Sequence, residues 1–385
     1  MFESSRIELS KTALENNLSF LMGNILRKGT VYSSVVKGNA YGHGIEKFVP
    51  LAETCGVEHF STFSTDEAYL VKQCIQNHQA TIMIMGNVDD HELEWAVQNK
   101  VEFFVFDLVR LERAIEMAKK VGIKARVHLE FETGMNRTGF EYREIRRLPE
   151  ILKRQQEHLS IEGFCTHFAG AEDVSNQERV FDQVAYFDRY ASNMKAEKVS
   201  AIKNHIACSA ATIRYPETQR DMVRVGILQY GFWPSPEIEI ACTSVHGTKL
   251  NPLKRILSWK SQVMDVKNVK AGEYIGYGTS YMANDNMRVA TVPVGYSHGF
   301  SRGLSNQGRV LIRGKRVGVV GTVNMNAITV DVSRIDNVEK GDEVVLIGKQ
   351  GDLEITVASF SEFSDQVNYE LLTRLPLNIP RYIVP

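Results

Sequence analysis

The chain has 385 residues, with 45 Lys+Arg against 46 Asp+Glu and a formal net charge of −1. At roughly 150 residues per domain there is room for two or three domains, and 43% hydrophobic with 24% charged residues is the make-up of a globular chain rather than a disordered one. The balanced charge removes the usual electrostatic case for a nucleic-acid-binding surface, so nucleic acid is not an expected partner, and no apolar run approaches the roughly 18 residues of a membrane span.

The opening stretch MFESSRIELSKTALENNL has no basic head followed by an apolar run, so no export signal is expected. Residues 1–9 read as a strand that joins the second domain. After the expected cap Ser10, Leu14, Leu18, Leu21 and Ile25 line one helical face, as a period of 3.6 requires. Short apolar runs at 31–36, 59–63, 81–85, 102–106, 126–131, 161–168, 203–207 and 223–228 then alternate with longer helical segments, 113–120 and 178–195 among them. Eight β-then-α repeats predict a (β/α)8 TIM-type barrel over 10–236; an open doubly wound sheet is the alternative, and it would show a Gly-rich first turn. Trp233-Pro234-Ser235-Pro236 reads as a linker. Beyond it, over 237–385, the strand-like runs 254–266, 287–294, 308–320, 327–332 and 343–348 follow one another, with a hairpin turn at Arg313-Gly314-Lys315 and one helix near 357–375. The second part is a β-rich C-terminal domain.

Five cysteines, an odd number without a C-x-x-C pair, suggest neither a disulfide framework nor a zinc or redox site, and a reducing cytoplasm fits best. In a barrel the chemistry sits where the strands end. Lys37 closes the first run in Val35-Val36-Lys37-Gly38-Asn39-Ala40-Tyr41-Gly42-His43-Gly44. By position alone it reads as a solvated surface lysine, but glycines at 38, 42 and 44 permit the close backbone approach that a Schiff-base lysine beside a bulky cofactor needs. The spacing matches neither G-x-G-x-x-G nor a P-loop.

This stretch resembles the pyridoxal phosphate (PLP) lysine motif of the alanine racemase family, whose members have a barrel followed by a β domain, and the resemblance continues in order along nearly the whole chain. Thr133-Gly134-Met135-Asn136-Arg137 is similar to a family segment whose arginine faces the cofactor's phenolic oxygen and the substrate. A guanidinium suits that place because it stays charged and donates to oxygens; otherwise Arg137 is a loop residue in a surface ion pair. His167, in Thr166-His167-Phe168-Ala169, resembles a residue beside the cofactor ring and reads equally as a hydrogen-bonded core histidine. The resemblance places the phosphate on Ser209 and the backbone of Gly226 and Ile227, with Tyr41 adding a phenolic donor. The loops after the last two barrel strands commonly serve phosphate, and Ser209 also suits a helix N-cap.

Arg224 resembles the arginine that faces the pyridine nitrogen. Many PLP enzymes use a carboxylate there; an arginine accepts no proton, so the ring stays neutral at nitrogen, which favours racemisation over transamination. As a structural ion pair, Arg224 would be a costly charge inside an apolar run. Tyr281, in Gly276-Tyr277-Gly278-Thr279-Ser280-Tyr281-Met282-Ala283, matches the racemase tyrosine, although a tyrosine between strands is normally core or rim. Racemisation needs one group to remove the α-proton and another to return it on the opposite face, and Lys37 and Tyr281 are the expected pair. A phenol near pKa 10 needs a positive neighbour, for which His167 with an arginine is the expected relay. In the family this tyrosine comes from the partner subunit, so a homodimer with composite active sites is implied. Val294 to Phe300 and Val323-Asn324-Met325-Asn326 are similar to segments lining the substrate entrance, with Met325 at the substrate.

The departures cluster around the substrate. Glu130 stands where the family usually has a carbamylated lysine that holds the arginine, and supplies the same charge. Asn326 and His298 stand in place of aspartates, Cys208 in place of an asparagine, and Leu377 at about the position of a tyrosine that limits side-chain size. The expected activity is PLP-dependent racemisation, with alanine as the default and serine, lysine or ornithine as alternatives. A decarboxylase of the same fold would need a C-terminal cysteine, and none follows Cys242. A metal-assisted dehydratase or aldolase would need His and Cys ligands in the second domain, where only Cys242, His246 and His298 stand, so no metal is expected. A non-catalytic PLP-binding protein is the alternative from another class; its single-domain examples lack the β domain and a counterpart of Tyr281.

Overall fold

A computed structural model describes residues 4–246, 251–361 and 368–385 of the chain. It divides into two compact units, one formed by Ala13–Lys37 with Phe48–Lys254 and the other by Met1–Thr12, Gly38–Lys47 and Arg255–Pro385. In chain order the strands are β1 (Ser5–Ser10), β2 (Val31–Val35), β3 (His59–Thr62), β4 (Thr81–Ile84), β5 (Glu102–Val105), β6 (Ala125–Glu130), β7 (Leu159–Cys165), β8 (Lys203–His205) and β9 (Met222–Val225). There follow β10 (Leu257–Gln262), β11 (Asp265–Val269), β12 (Met287–Val292), β13 (Arg309–Ile312), β14 (Lys315–Gly318), β15 (Ile328–Asp331), β16 (Glu343–Gln350), β17 (Leu353–Ile355) and β18 (Arg381–Val384).

The first unit is the barrel. Among the described residues its eight strands run in the order β8-β7-β6-β5-β4-β3-β2-β9, every pair parallel. Backbone bonds from Asp221 N to Asn204 O (3.1 Å) and from Arg224 N to Ala207 O (3.0 Å) bring β8 and β9 together and nearly close the ring. Strands such as His59–Thr62 and Glu102–Val105 are buried at every position, as expected of parallel strands covered on both faces. The helix Leu108–Val121 shows how the intervening segments are punctuated: Asp107 accepts from Arg110 N at 2.7 Å, and Gly122 ends the helix at φ 73, the N-cap and left-handed C-terminal devices expected of a stable helix. The linker expected at Trp233–Pro236 is instead the entry to the helix Pro236–His246, and the barrel unit runs on to Lys254. Proline suits a first helical position because its missing N–H would have no partner there.

The second unit is β-rich. Among the described residues, one sheet runs β14-β13-β16-β10-β1-β18 with β17 on β16, and a smaller one runs β11-β12-β15. The N-terminal strand lies antiparallel to β10 and parallel to β18, and its alternate residues Ile7 and Leu9 are fully buried. Between β13 and β14, Ile312 pairs with Lys315, and Arg313 and Gly314 both have positive φ (49 and 70), the two-residue turn whose twist matches a hairpin. Where one helix is expected near 357–375, there are short helices Ala358–Ser361 and Asn368–Thr373; 362–367 lie outside the described residues.

Candidate active site

The barrel unit brings several of the expected residues together at the C-terminal ends of its strands. Lys37 stands two residues past β2, Arg137 in the loop after β6, His167 two residues past β7, Ser209 after β8, and Gly226 directly after β9. Lys37 is exposed by its accessible surface, yet the protein around its amine suffices to desolvate it. That desolvation, and next the neighbouring Arg137 with Arg224, hold its pKa below the ordinary lysine range, against a smaller opposing effect of Glu67. Both burial and a like charge disfavour an ammonium, so more of the amine is unprotonated at neutral pH than for a surface lysine.

His167 feels the same group. Burial first, then Arg224, Arg137 and Lys37, lower its pKa to about 3. Its imidazole is therefore neutral at physiological pH, so in a relay of His167 with an arginine the positive charge belongs to the arginine.

Arg224 is buried within β9. Its Nη1 donates to His205 Nδ1 and to His205 O (2.7 Å), and Nη2 donates to Thr166 O at 2.7 Å. Of the five N–H donors of a guanidinium, these bonds leave one on Nη2 and the one on Nε. Ser209 Oγ accepts from Gly226 N at 2.9 Å, which joins the start of the helix Ser209–Arg214 to the end of β9. The first turns of this helix and of the 3-10 turn Ile227–Tyr230 carry backbone N–H groups that their own helical carbonyls do not reach.

Glu130 is buried, and burial raises its pKa. Its Oε2 accepts from Thr138 Oγ1 at 2.7 Å, so the carboxylate holds the residue next to Arg137; Arg137 acts on it only at longer range. The rest of that loop is fixed by groups that sequence reasoning missed. Glu132 accepts from Gly134 N and from Asn136 N (2.8 Å). On the helix Gln177–Ala196, Arg179 Nη2 donates to Gly134 O at 2.7 Å, and the fully buried Gln183 donates to Thr133 Oγ1 (3.2 Å) and His167 O (2.8 Å) and accepts from Ala169 N (2.9 Å).

The β-rich unit carries the other expected residues. Gly38 to Gly42, just after Lys37, all have positive φ (62, 53, 53, 50 and 79) and form a left-handed turn that includes Tyr41, closed by Gly42 N donating to Gly38 O at 2.9 Å. The Tyr41 ring meets Tyr369 edge-on at 6.2 Å. Tyr281 packs on a cluster of Ile275, Ala283, Val289 and Val320, and its carbonyl accepts from Ile275 N at 3.0 Å. Met325 is exposed; its carbonyl accepts from Ser297 N at 3.0 Å, and the single Ser297 hydroxyl proton is shared between Met325 O at 2.8 Å and Asn326 Oδ1 at 2.6 Å. Leu377 is 76% exposed. Among the described residues no group of three or more His, Cys, Asp or Glu is placed to hold a metal ion, and no helix is long and apolar enough to cross a membrane.

An amine whose pKa is lowered by burial and by two guanidinium charges, a hydroxyl joined to a backbone donor and a neutral imidazole form a donor set that fits a phosphorylated, anionic aromatic aldehyde. Together with a parallel barrel and a β-rich unit, they define the class of fold-type III PLP-dependent racemases. Residues 9–234 match the family described as alanine racemase, N-terminal domain, and 256–383 that described as alanine racemase, C-terminal domain. The chain belongs to the alanine racemase family.

It is 34% identical over 385 residues to an alanine racemase of Leptospira interrogans, covering 99% of this chain and 96% of that one. Among solved structures, an alanine racemase of Bacillus anthracis with bound L-Ala-P superposes with a TM-score of 0.89 at 30% identity, covering 100% of this chain and 96% of that one. An alanine racemase of Bartonella henselae with covalently bound pyridoxal phosphate gives 0.83 at 26% identity, covering 99% of each.

Proposed function

We propose that this protein interconverts L- and D-alanine with PLP held on Lys37, by a two-base mechanism in which Lys37 and Tyr281 serve opposite faces of the substrate. The observation that carries the reading is the cluster at the barrel's strand ends: an amine made less basic by its surroundings, with Arg137 and Arg224 as its cations. When bound, the cofactor supplies an electron sink that acidifies the substrate's α-proton.

The chain's own residues do the rest. Ser209 Oγ, the backbone of Ile227 and the Tyr41 hydroxyl would hold the phosphate, and Gly226 N would join them by giving up its bond to Ser209 Oγ. Arg224, a donor with no acceptor capacity, would meet the ring nitrogen with its remaining N–H groups and could not take a proton from it. Arg137 orients the substrate carboxylate, on a loop held by Glu130, Glu132 and Gln183. His167 would stand beside the ring as a neutral imidazole. Lys37 Nζ takes or returns the proton on one face and the Tyr281 hydroxyl on the other, with Met325 beside the small side chain. The names of the relatives support alanine as the substrate. A homodimer, with Tyr281 reaching the site of the partner subunit, is the assembly this reading requires.

The test is α-proton exchange in D2O over a panel of L- and D-amino acids, with chiral analysis of the products. Exchange with inversion on alanine, lost in Lys37→Ala and strongly direction-dependent in Tyr281→Phe, is the expected result. Faster inversion of serine, lysine or ornithine would overturn the choice of substrate and direct attention to Leu377, Asn326 and Glu130. Bound PLP without exchange on any amino acid would identify a non-catalytic binder.

A further inference from the structure

A row of buried polar groups runs through the barrel away from Arg224, and the proposed function uses none of it beyond Arg224 itself. His205 Nε2 lies 2.7 Å from His128 Nδ1, and His128 Nε2 lies 2.8 Å from Glu102 Oε2. Glu102 is fully buried at the start of β5; it also accepts from Arg126 Nη2 at 2.6 Å and lies 3.4 Å from His59 Nε2.

The chemistry of the two ends fixes the direction of every bond. A guanidinium only donates, so His205 Nδ1, which faces Arg224 Nη1, must accept. A neutral His205 then carries its proton on Nε2 and donates it to His128 Nδ1. His128 in turn carries its proton on Nε2 and donates it to the carboxylate, which only accepts when ionised. Both imidazoles are pushed toward the neutral form by burial, and Glu102 toward the ionised form by His128 and His59, which outweigh its own burial. The row therefore runs one way, from the cation Arg224 to the anion Glu102.

The backbone makes room for this row. A β-carbon on Gly163 of β7 would collide with His128 Nδ1 and stand 2.7 Å from His205 Nε2. Gly163 pairs with His128 just where the β6–β7 register shifts. Its lack of a side chain lets the two imidazoles meet.

We propose that Glu102, acting through His128 and His205, is a positioning residue that holds Arg224 as a fixed donor at the catalytic end of the barrel. This rests on the reading of Arg224 as the partner of the cofactor's ring nitrogen. Replacing the carboxylate by an amide offers His128 a group that also donates. Reversal of that bond would propagate to His205, leaving Nδ1–H against the Arg224 N–H.

The first experiment needs no variant: 15N NMR of histidine-labelled protein, with His128 and His205 assigned by single substitution. Both are expected as the tautomer protonated on Nε2 alone; a proton on Nδ1 of His205 overturns the proposal. The second compares wild type, Glu102→Gln, Glu102→Asp and Gly163→Ala for PLP affinity and for the visible spectrum of the loaded protein. Glu102→Gln and Gly163→Ala are expected to alter the spectrum and weaken PLP binding on the order of 2- to 30-fold, with Glu102→Asp keeping more of both. Should Glu102→Gln not fold, Gly163→Ala carries the readout. Lowered melting temperatures with wild-type spectra and affinities would reduce the row to a structural role and overturn the proposal. If wild type yields no borohydride-fixed PLP on Lys37, the functional reading fails instead, and the tautomers still decide the direction of the row.

Discussion

Gly42 illustrates how one residue's chemistry is legible while its reason is not. The sequence suggests glycines 38, 42 and 44 as places where backbone approaches a cofactor; in the structure a β-carbon on Gly42 would collide with the carbonyl oxygen of Leu372. The same segment holds Asn39, Ala40 and Tyr41 in the left-handed region, which costs about 1–2 kcal/mol for each side-chain-bearing residue. Asn39 Oδ1 accepts from Ile45 N at 2.9 Å, Gly44 N donates to Asn39 O at 2.9 Å, and His43 Nδ1 meets Ala40 O at 3.0 Å, and these bonds offset that cost. Gly42→Ala adds both an unfavourable φ and a backbone collision, so a loss of about 3 kcal/mol or more is expected in urea unfolding. A loss below about 1 kcal/mol would mean that the Leu372 backbone yields freely.

The helix Gln177–Ala196 shows the same divide at the scale of an element. Its apolar stripe, with Val180, Phe187, Tyr190 and Met194 buried, is what the 3.6-residue period predicts. Gln183 lies on that stripe, and a polar residue there was the available signal that the helix does more than pack. It bonds Thr133, His167 and Ala169, tying together the loops that carry Arg137 and His167. Gln183→Leu keeps the bulk but strands the Ala169 N–H and the His167 carbonyl, each worth about 1–3 kcal/mol when left unsatisfied. Reduced stability is expected, and on the proposed reading of Arg137 as the partner of the substrate carboxylate, KM for the amino acid should rise more than kcat falls, because the loop of Arg137 loses an anchor. An unchanged KM with lower stability would assign Gln183 to packing alone. The eight barrel runs were legible for the same reason that Gln183 was not. Continuous apolar character marks a doubly buried strand, whereas the partners of a single buried amide come from loops distant in sequence. Glu102 and His128 escaped notice similarly, although the cost of a charge inside an apolar run, argued for Arg224, applies equally to Glu102.

Across the whole molecule, burial of histidine sets the response to acid. His43 in the β-rich unit is held at about 4 by desolvation, which outweighs its backbone hydrogen bonds, and His167 in the barrel at about 3. His128 and His205 are lowered as well, again chiefly by burial. In the unfolded chain these imidazoles titrate near 6.5. As pH falls below that value the unfolded state takes up protons that the folded state refuses, so stability present above about pH 6.5 is lost on descending toward the folded values. Near pH 5 His43 and His167 each contribute a slope of about 1.4 kcal/mol per pH unit, stability rising with pH. For His43, fully buried, the total is about 3 kcal/mol once pH has passed 4. Glu102 acts in a lower window: its carboxyl is held well below the usual carboxylate range, chiefly by His128 and His59 against its own desolvation. Its contribution is therefore present above the unfolded value near 4.5 and is lost as pH falls further. Urea unfolding from pH 7 to 4 is expected to show stability falling with at least two protons taken up on unfolding near pH 5, and His43→Gln should flatten that slope by about one proton. A stability independent of pH between 4.5 and 6.5 would show that these histidines are protonated in the folded protein, and the neutral imidazoles on which the Arg224 row depends would fall with it.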